Sequence, residues 1–175
     1  AKAAIESGVA RHEITDWDAY KDHLRELLGQ ETKLTRTLHS TAALHPQRVV
    51  FAEGGHPTMM KAAVQALQEG ICHPILLGNP DRLNRLAKRL KLDLTGVEIV
   101  DMRADNEQGN RATYAKHLAE KRARQGVTFE EAYDKMYERN YFGMSMVEQG
   151  DADAFVTGLY TKYSNTIKVA KEVIG

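Results

Sequence analysis

Arg48-Val49-Val50-Phe51-Ala52-Glu53-Gly54-Gly55-His56-Pro57 is the stretch on which the fold turns. A short apolar, β-branched run breaks at Glu53-Gly54-Gly55, and Pro57 stands where a first helical turn would open. Proline suits that place because its missing N–H would have no intrahelical partner there. Met60, Ala63, Val64 and Leu67 then recur at helical spacing, and Gly70 ends the run. The stretch therefore predicts a strand over 48–52 turning directly into a helix over 57–69.

The same unit repeats toward the C-terminus. Pro74-Ile75-Leu76-Leu77-Gly78 reads as a strand, and Asn79-Pro80 opens a helix carrying Leu83, Leu86, Ala87 and Leu90. Val97–Asp101 reads as a third strand. Apolar strands alternating with helices imply a parallel sheet with both faces covered. Helices are expected over 111–124, from Thr128 (with Glu131 three residues on, a capping-box pattern) and over 141–149. A buried strand at 154–157 and a helix over 165–173 complete the pattern. The fold class expected is α/β: a three-layer domain with a mainly parallel central sheet.

Toward the N-terminus the pattern changes. Ala1–Ser7 reads as a short helix closed by Gly8. Trp17, Tyr20, Leu24 and Leu27 share one face of a second helix, with Thr15 or Asp16 as its cap and Gly29 after its end. A third helix, about 32–43, stops before His45-Pro46. Residues 1–30 are expected to be a helical connector, and 31–175 the first half of a larger domain. Both ends read as cut from a longer chain.

Lys plus Arg and Asp plus Glu both number 24 in 175 residues. A neutral chain has no basic field for a nucleic-acid backbone. No apolar stretch approaches the roughly 20 residues of a membrane span. Cys72 is the lone cysteine, so no internal disulfide forms, and a cytoplasmic protein is expected. Its simplest role is that of a small buried hydrophobe. The seven histidines show no zinc spacing, and no metal or cofactor site is expected within these residues. Lys116, Lys121, Arg122 and Arg124 read as a solvated helix face.

Ligands of open parallel sheets bind beyond the carboxyl ends of strands, near helix N-termini. Two places qualify. Glu53 and Gly54, with Gly55-His56, form either a ligand loop or a plain strand-to-helix turn, without the signature of a P-loop or a dinucleotide fingerprint. The second is Thr157–Ser164, where Thr157, Gly158, Thr161, Lys162 and Ser164 offer donors to a phosphate or other anion, with Lys168 further along. Its alternative reading is a capped helix start with solvated side chains.

Several of these segments resemble the phosphotransacetylase family. They are Arg48–Gly54, Gly70–Gly78, Tyr141-Phe142-Gly143-Met144 to Val147, Gly150-Asp151-Ala152-Asp153-Ala154, Val156-Thr157-Gly158 and Ile174-Gly175. Ala1–Arg11, with Asp16 and Tyr20, is similar to the last helix and exit linker of bacterial malic enzymes, which in large hybrid forms lead into a phosphotransacetylase-like domain. The resemblance implies a full protein that oxidatively decarboxylates malate to pyruvate with NADP and a divalent metal (Mg or Mn), both bound outside this fragment. It further implies that this domain senses acetyl-CoA and joins subunits into a homo-oligomer. Thr58 and Lys168 stand where active phosphotransacetylases carry arginine, and a lysine lacks the bidentate fork suited to phosphate. Catalysis by the fragment is therefore not expected. The alternatives are half of an active phosphate acetyltransferase and a purely structural domain.

Overall fold

The computed structural model describes residues 1–9, 14–27 and 33–175, which fall into two compact units, 1–40 and 41–175. In the first, α1 (Lys2–Glu6) and α2 (Trp17–Leu27) are helical. Asp16 caps α2: its Oδ1 accepts from the N–H groups of Asp18 and Ala19 at 3.0 and 2.9 Å. Trp17 and Tyr20 meet edge to face at 6.1 Å, and the Lys2 ammonium lies 5.3 Å from the Trp17 ring centroid. α3 (Lys33–Leu44) ends before Pro46. The expected stop at Gly29 and start at Thr32 lie outside the described residues.

The second unit runs β1 (Gln47–Phe51), α4 (Pro57–Gln68), β2 (Cys72–Leu77), α5 (Pro80–Leu90), β3 (Glu98–Val100), α6 (Gln108–Arg122), α7 (Phe129–Lys135), α8 (Arg139–Glu148), β4 (Ala154–Val156) and α9 (Tyr163–Val173). All strand pairs are parallel, in the order β3-β2-β1-β4. Successive strand residues face opposite ways, and the two faces fill differently. Val50, Ile75 and Leu77 pack with Tyr114, Leu118 and Phe142. Phe51, Leu76 and Cys72 pack with Met60, Ala63 and Leu83. Thus α4 and α5 cover one face and α6 to α9 the other, giving the three-layer α/β architecture. Side chains such as Met60 (0% exposed) and Phe142 (1%) each contribute about 1.5–3 kcal/mol by leaving water.

Pro57 sits in the first turn of α4, and the His56 side chain caps it by accepting from the Thr58 N–H at 3.2 Å. Thr128 and Glu131 form the reciprocal capping box that opens α7. The Gly-Asp-Ala-Asp-Ala block fastens β4 beside β1. The Asp153 backbone N–H donates to the Arg48 carbonyl, and its carboxylate accepts from the Arg48 N–H, both at 2.8 Å. Asp151 accepts from the Tyr114 hydroxyl. Gly143 lets α8 lie on β4, because a Cβ there would overlap the Phe155 ring.

Three readings need correction. β4 is an edge strand rather than a buried one, with Ala154 and Phe155 half-buried and Val156 40% exposed. α8 begins two residues before Tyr141, at Arg139, and α9 two before Asn165, at Tyr163. Lys121 and Arg122 are not a solvated face: both reach the C-terminus of α9. Lys121 Nζ donates to the carbonyls of Val173 and Ile174 at 2.8 and 3.0 Å and pairs with Glu148 at 2.7 Å. Arg122 donates to the carbonyls of Lys171, Glu172 and Gly175. These cations satisfy carbonyls that a helix end leaves orphaned. Among the described residues no helix is long and apolar enough to cross a membrane.

Candidate functional site

The chain moves outward from β1 through β2 to β3, then returns along the other face to place β4 on β1's opposite side. Strand order reverses between β1 and β4. In such sheets the loops leaving the two strands diverge and open a crevice at their carboxyl ends. Glu53 leaves β1 into that place, and Thr157-Gly158 leaves β4 into it.

Glu53 has no exposed surface. Its carboxylate accepts from three consecutive backbone N–H groups: Gly158 at 3.0 Å, Leu159 at 2.9 and 3.1 Å, and Tyr160 at 2.7 Å. Burial pushes its pKa up, but the hydrogen bonds from Leu159, Tyr160 and Gly158, with the nearby Arg139 charge, hold the carboxyl below its ordinary value. The loop after β4 thus forms a small anion-binding nest, filled by the chain's own glutamate. Gly158, at φ +132°, has a conformation that L side chains rarely adopt. At Gly54 close packing requires glycine, since a Cβ there would lie 2.9 Å from the Leu77 carbonyl oxygen.

Around this nest stand His56 and Tyr160 of the two predicted loops, joined by Arg139 and Asn140, which local pattern did not single out. Asn140, 6% exposed, accepts from the Thr157 hydroxyl at 3.3 Å. The Tyr160 ring, 61% exposed, has the His56 ring at 5.2 Å and the Arg139 guanidinium at 5.8 Å. Arg139 and Asn140 precede the apolar run at Tyr141, which made them look like loop. No local signal marks them, because their placement comes from contacts with Thr157 and Tyr160.

The predicted residues therefore divide. Glu53, Gly54, Thr157 and Gly158 meet at the crevice. Thr161 is half-buried, and Lys162 is the N-cap residue of α9 without a side-chain cap hydrogen bond. Ser164 and Lys168 instead line a separate groove of about 430 Å³ with Arg122 and Lys171. Lys168 there lies 3.9 Å from Glu172. No group of three or more His, Cys, Asp or Glu able to hold a metal comes together among the described residues.

The family model for phosphate acetyl/butaryl transferase matches residues 33–175. The chain is 33% identical to an NADP-dependent malic enzyme of Rhizobium meliloti (strain 1021), over 99% of this chain and 23% of that protein. It is 35% identical to a phosphate acetyltransferase of Salmonella typhimurium, over 73% of this chain and 17% of that protein. The chain thus spans about a quarter or less of these relatives. Among solved structures, the EutD phosphotransacetylase from Staphylococcus aureus superposes with a TM-score of 0.69 at 26% identity, covering 79% of this chain and 41% of that one. With its parallel sheet, its β1–β4 crevice and a family match across residues 33–175, the chain belongs to the phosphate acetyl/butaryl transferase family.

Proposed function

We propose that this chain is the phosphotransacetylase-like part of an NADP-dependent malic enzyme, where it senses acetyl-CoA and holds subunits together. One observation carries the reading. The similarity to the malic enzyme runs over 99% of the chain, through the N-terminal helices that precede the family match at residue 33. The similarity to the phosphate acetyltransferase covers 73%. On this reading the whole protein converts malate to pyruvate and CO2 in the cytoplasm, with NADP and a divalent metal held by residues outside these 175.

On this reading an anionic effector sits in the crevice that Thr157 enters, with Thr161 and Lys162 in the loop leading to α9. The family resemblance weighs against acetyl transfer, because it implies arginine where Thr58 and Lys168 stand. Lys168 is also 75% exposed and beside Glu172, away from Glu53. A second reading, half of an active phosphate acetyltransferase, draws support from the 35% identity over 129 residues.

Two assays on the intact protein separate them: calorimetric titration with acetyl-CoA, and formation of acetyl-CoA from acetyl phosphate and CoA. Saturable binding without turnover is expected. Turnover would favour the transferase, and neither signal would leave a structural domain.

A further inference from the structure

The chain carries no net charge, yet its charges are unevenly placed. Between Pro80 and Lys91 stand Arg82, Arg85, Lys88, Arg89 and Lys91, against the single carboxylate of Asp81. Leu83, Leu86 and Ala87 bury the inner side of α5, so these cations face solvent. None of them makes an ion pair among the described residues. Beside them, between α5 and the edge strand β3, lies a groove of about 390 Å³. Lys88 stands at it, and half-buried Leu92, Leu94 and Ile99 line it. Its one carboxylate, Asp93, is engaged by the N–H and hydroxyl of Thr95 at 2.9 and 2.7 Å. A basic groove with apolar walls fits an acidic segment that carries an apolar side chain.

This chain presents such a segment on the other face of its sheet. Phe129 opens α7 with its ring 45% exposed. The ring packs on Tyr133 at 5.9 Å, and the Arg111 guanidinium lies 5.9 Å from the Tyr133 centroid. Glu130 and Asp134, four residues apart on α7, are exposed and make no ion pair among the described residues. Lys135, the one cation of α7, is drawn off to Glu172 at 3.0 Å. We propose that copies of this chain associate head to tail, Phe129, Glu130 and Asp134 of one copy docking in the α5–β3 groove of the next. Because α5 and α7 pack on opposite faces of the sheet, the two surfaces do not meet within one copy. The contact is therefore heterologous, unlike a two-fold one in which a patch meets itself. A ring already held by its neighbours supplies the anchor at little ordering cost. Like faces repel, which excludes the wrong pairing. The inference deepens the subunit-holding role proposed above and owes nothing to acetyl-CoA.

The test is sedimentation velocity of the intact protein over a dilution series, with charges reversed on one surface at a time. One variant carries Arg85→Glu with Lys88→Glu, the other Glu130→Lys with Asp134→Lys. Glu131 is kept, because it completes the capping box of α7. All four side chains are exposed, and Lys116→Glu on α6, also exposed, controls for net charge. Each double reversal should raise the concentration of half-dissociation at least about tenfold, with Lys116→Glu within about twofold of wild type. Phe129→Ala, which alters no charge, should weaken assembly by a similar factor of about ten. Mixed one to one, the two reversed variants should assemble like wild type, because each then offers the charge the other lacks. That recovery also shows both to be folded. A mixture that stays dissociated, beside a Phe129→Ala protein that assembles like wild type, would overturn the pairing. Assembly indifferent to both reversals sinks this pairing alone and leaves the subunit-holding role standing. A wild type that stays a single chain at every concentration sinks both.

Discussion

A glutamate with no exposed surface ought to titrate high, because burial penalises its charge. Glu53 goes the other way, since three backbone donors aim at its carboxylate. Glu53→Gln keeps the shape but turns an amide NH2 toward those donors. It should cost about 2 kcal/mol in urea unfolding, the order of a charge-assisted hydrogen bond network partly lost. Amide exchange at Gly158, Leu159 and Tyr160 should quicken more than exchange in the core. The sequence marked Glu53 and Gly158 as candidates separately, each from its strand-to-helix turn. That they bind each other was not legible, because the contact joins residues 105 positions apart and no local spacing encodes it.

The elements built from strong local signals emerged close to expectation. Pro57 and the Met60-Ala63-Val64-Leu67 spacing gave α4, and Asn79-Pro80 gave α5. Where the deciding interaction is tertiary, the reading slipped. α8 takes in Arg139 and Asn140, whose side chain meets Thr157 from the loop after β4, and the burial of β4 depends on its edge position, which a three-residue strand does not announce. α9 shows the same point at its other end. Its terminal carbonyls are held by Lys121 and Arg122 from α6, across some 50 residues of chain. Arg122→Ala should lower stability by about 1–2 kcal/mol, and exchange protection should fall first in the last turn of α9. An unchanged last turn would show that Lys121 alone suffices.

For the molecule as a whole, the titrating groups define a stability window. Glu53, Glu148 and Glu172 all lie below their ordinary value of 4.5. Burial raises Glu53 and Glu172, but it is outweighed by the backbone donors at Glu53 and by Tyr141 and Lys135 at Glu172; hydrogen bonding from Lys121 lowers Glu148. A depressed carboxyl contributes stability that is complete above its unfolded value and is lost as pH falls through the folded one. Tyr114 and Tyr141 lie above 10.0, through burial and through their bonds to Asp151 and Glu172. Their contribution is complete below 10.0 and is lost as pH rises through the raised values. Urea midpoints should therefore be flat between about pH 5 and 9 and fall on both sides. Replacing Tyr114 with Phe should flatten the alkaline limb.

The central claim, that this family member serves a malic enzyme as an acetyl-CoA sensor, is tested most directly by one measurement. Malate-dependent NADP reduction by the intact protein is followed while acetyl-CoA is titrated. The account predicts a saturable change in malate turnover with acetyl-CoA. Turnover indifferent to acetyl-CoA in a protein that reduces NADP with malate, or no malate turnover beside active acetyl transfer, would contradict it.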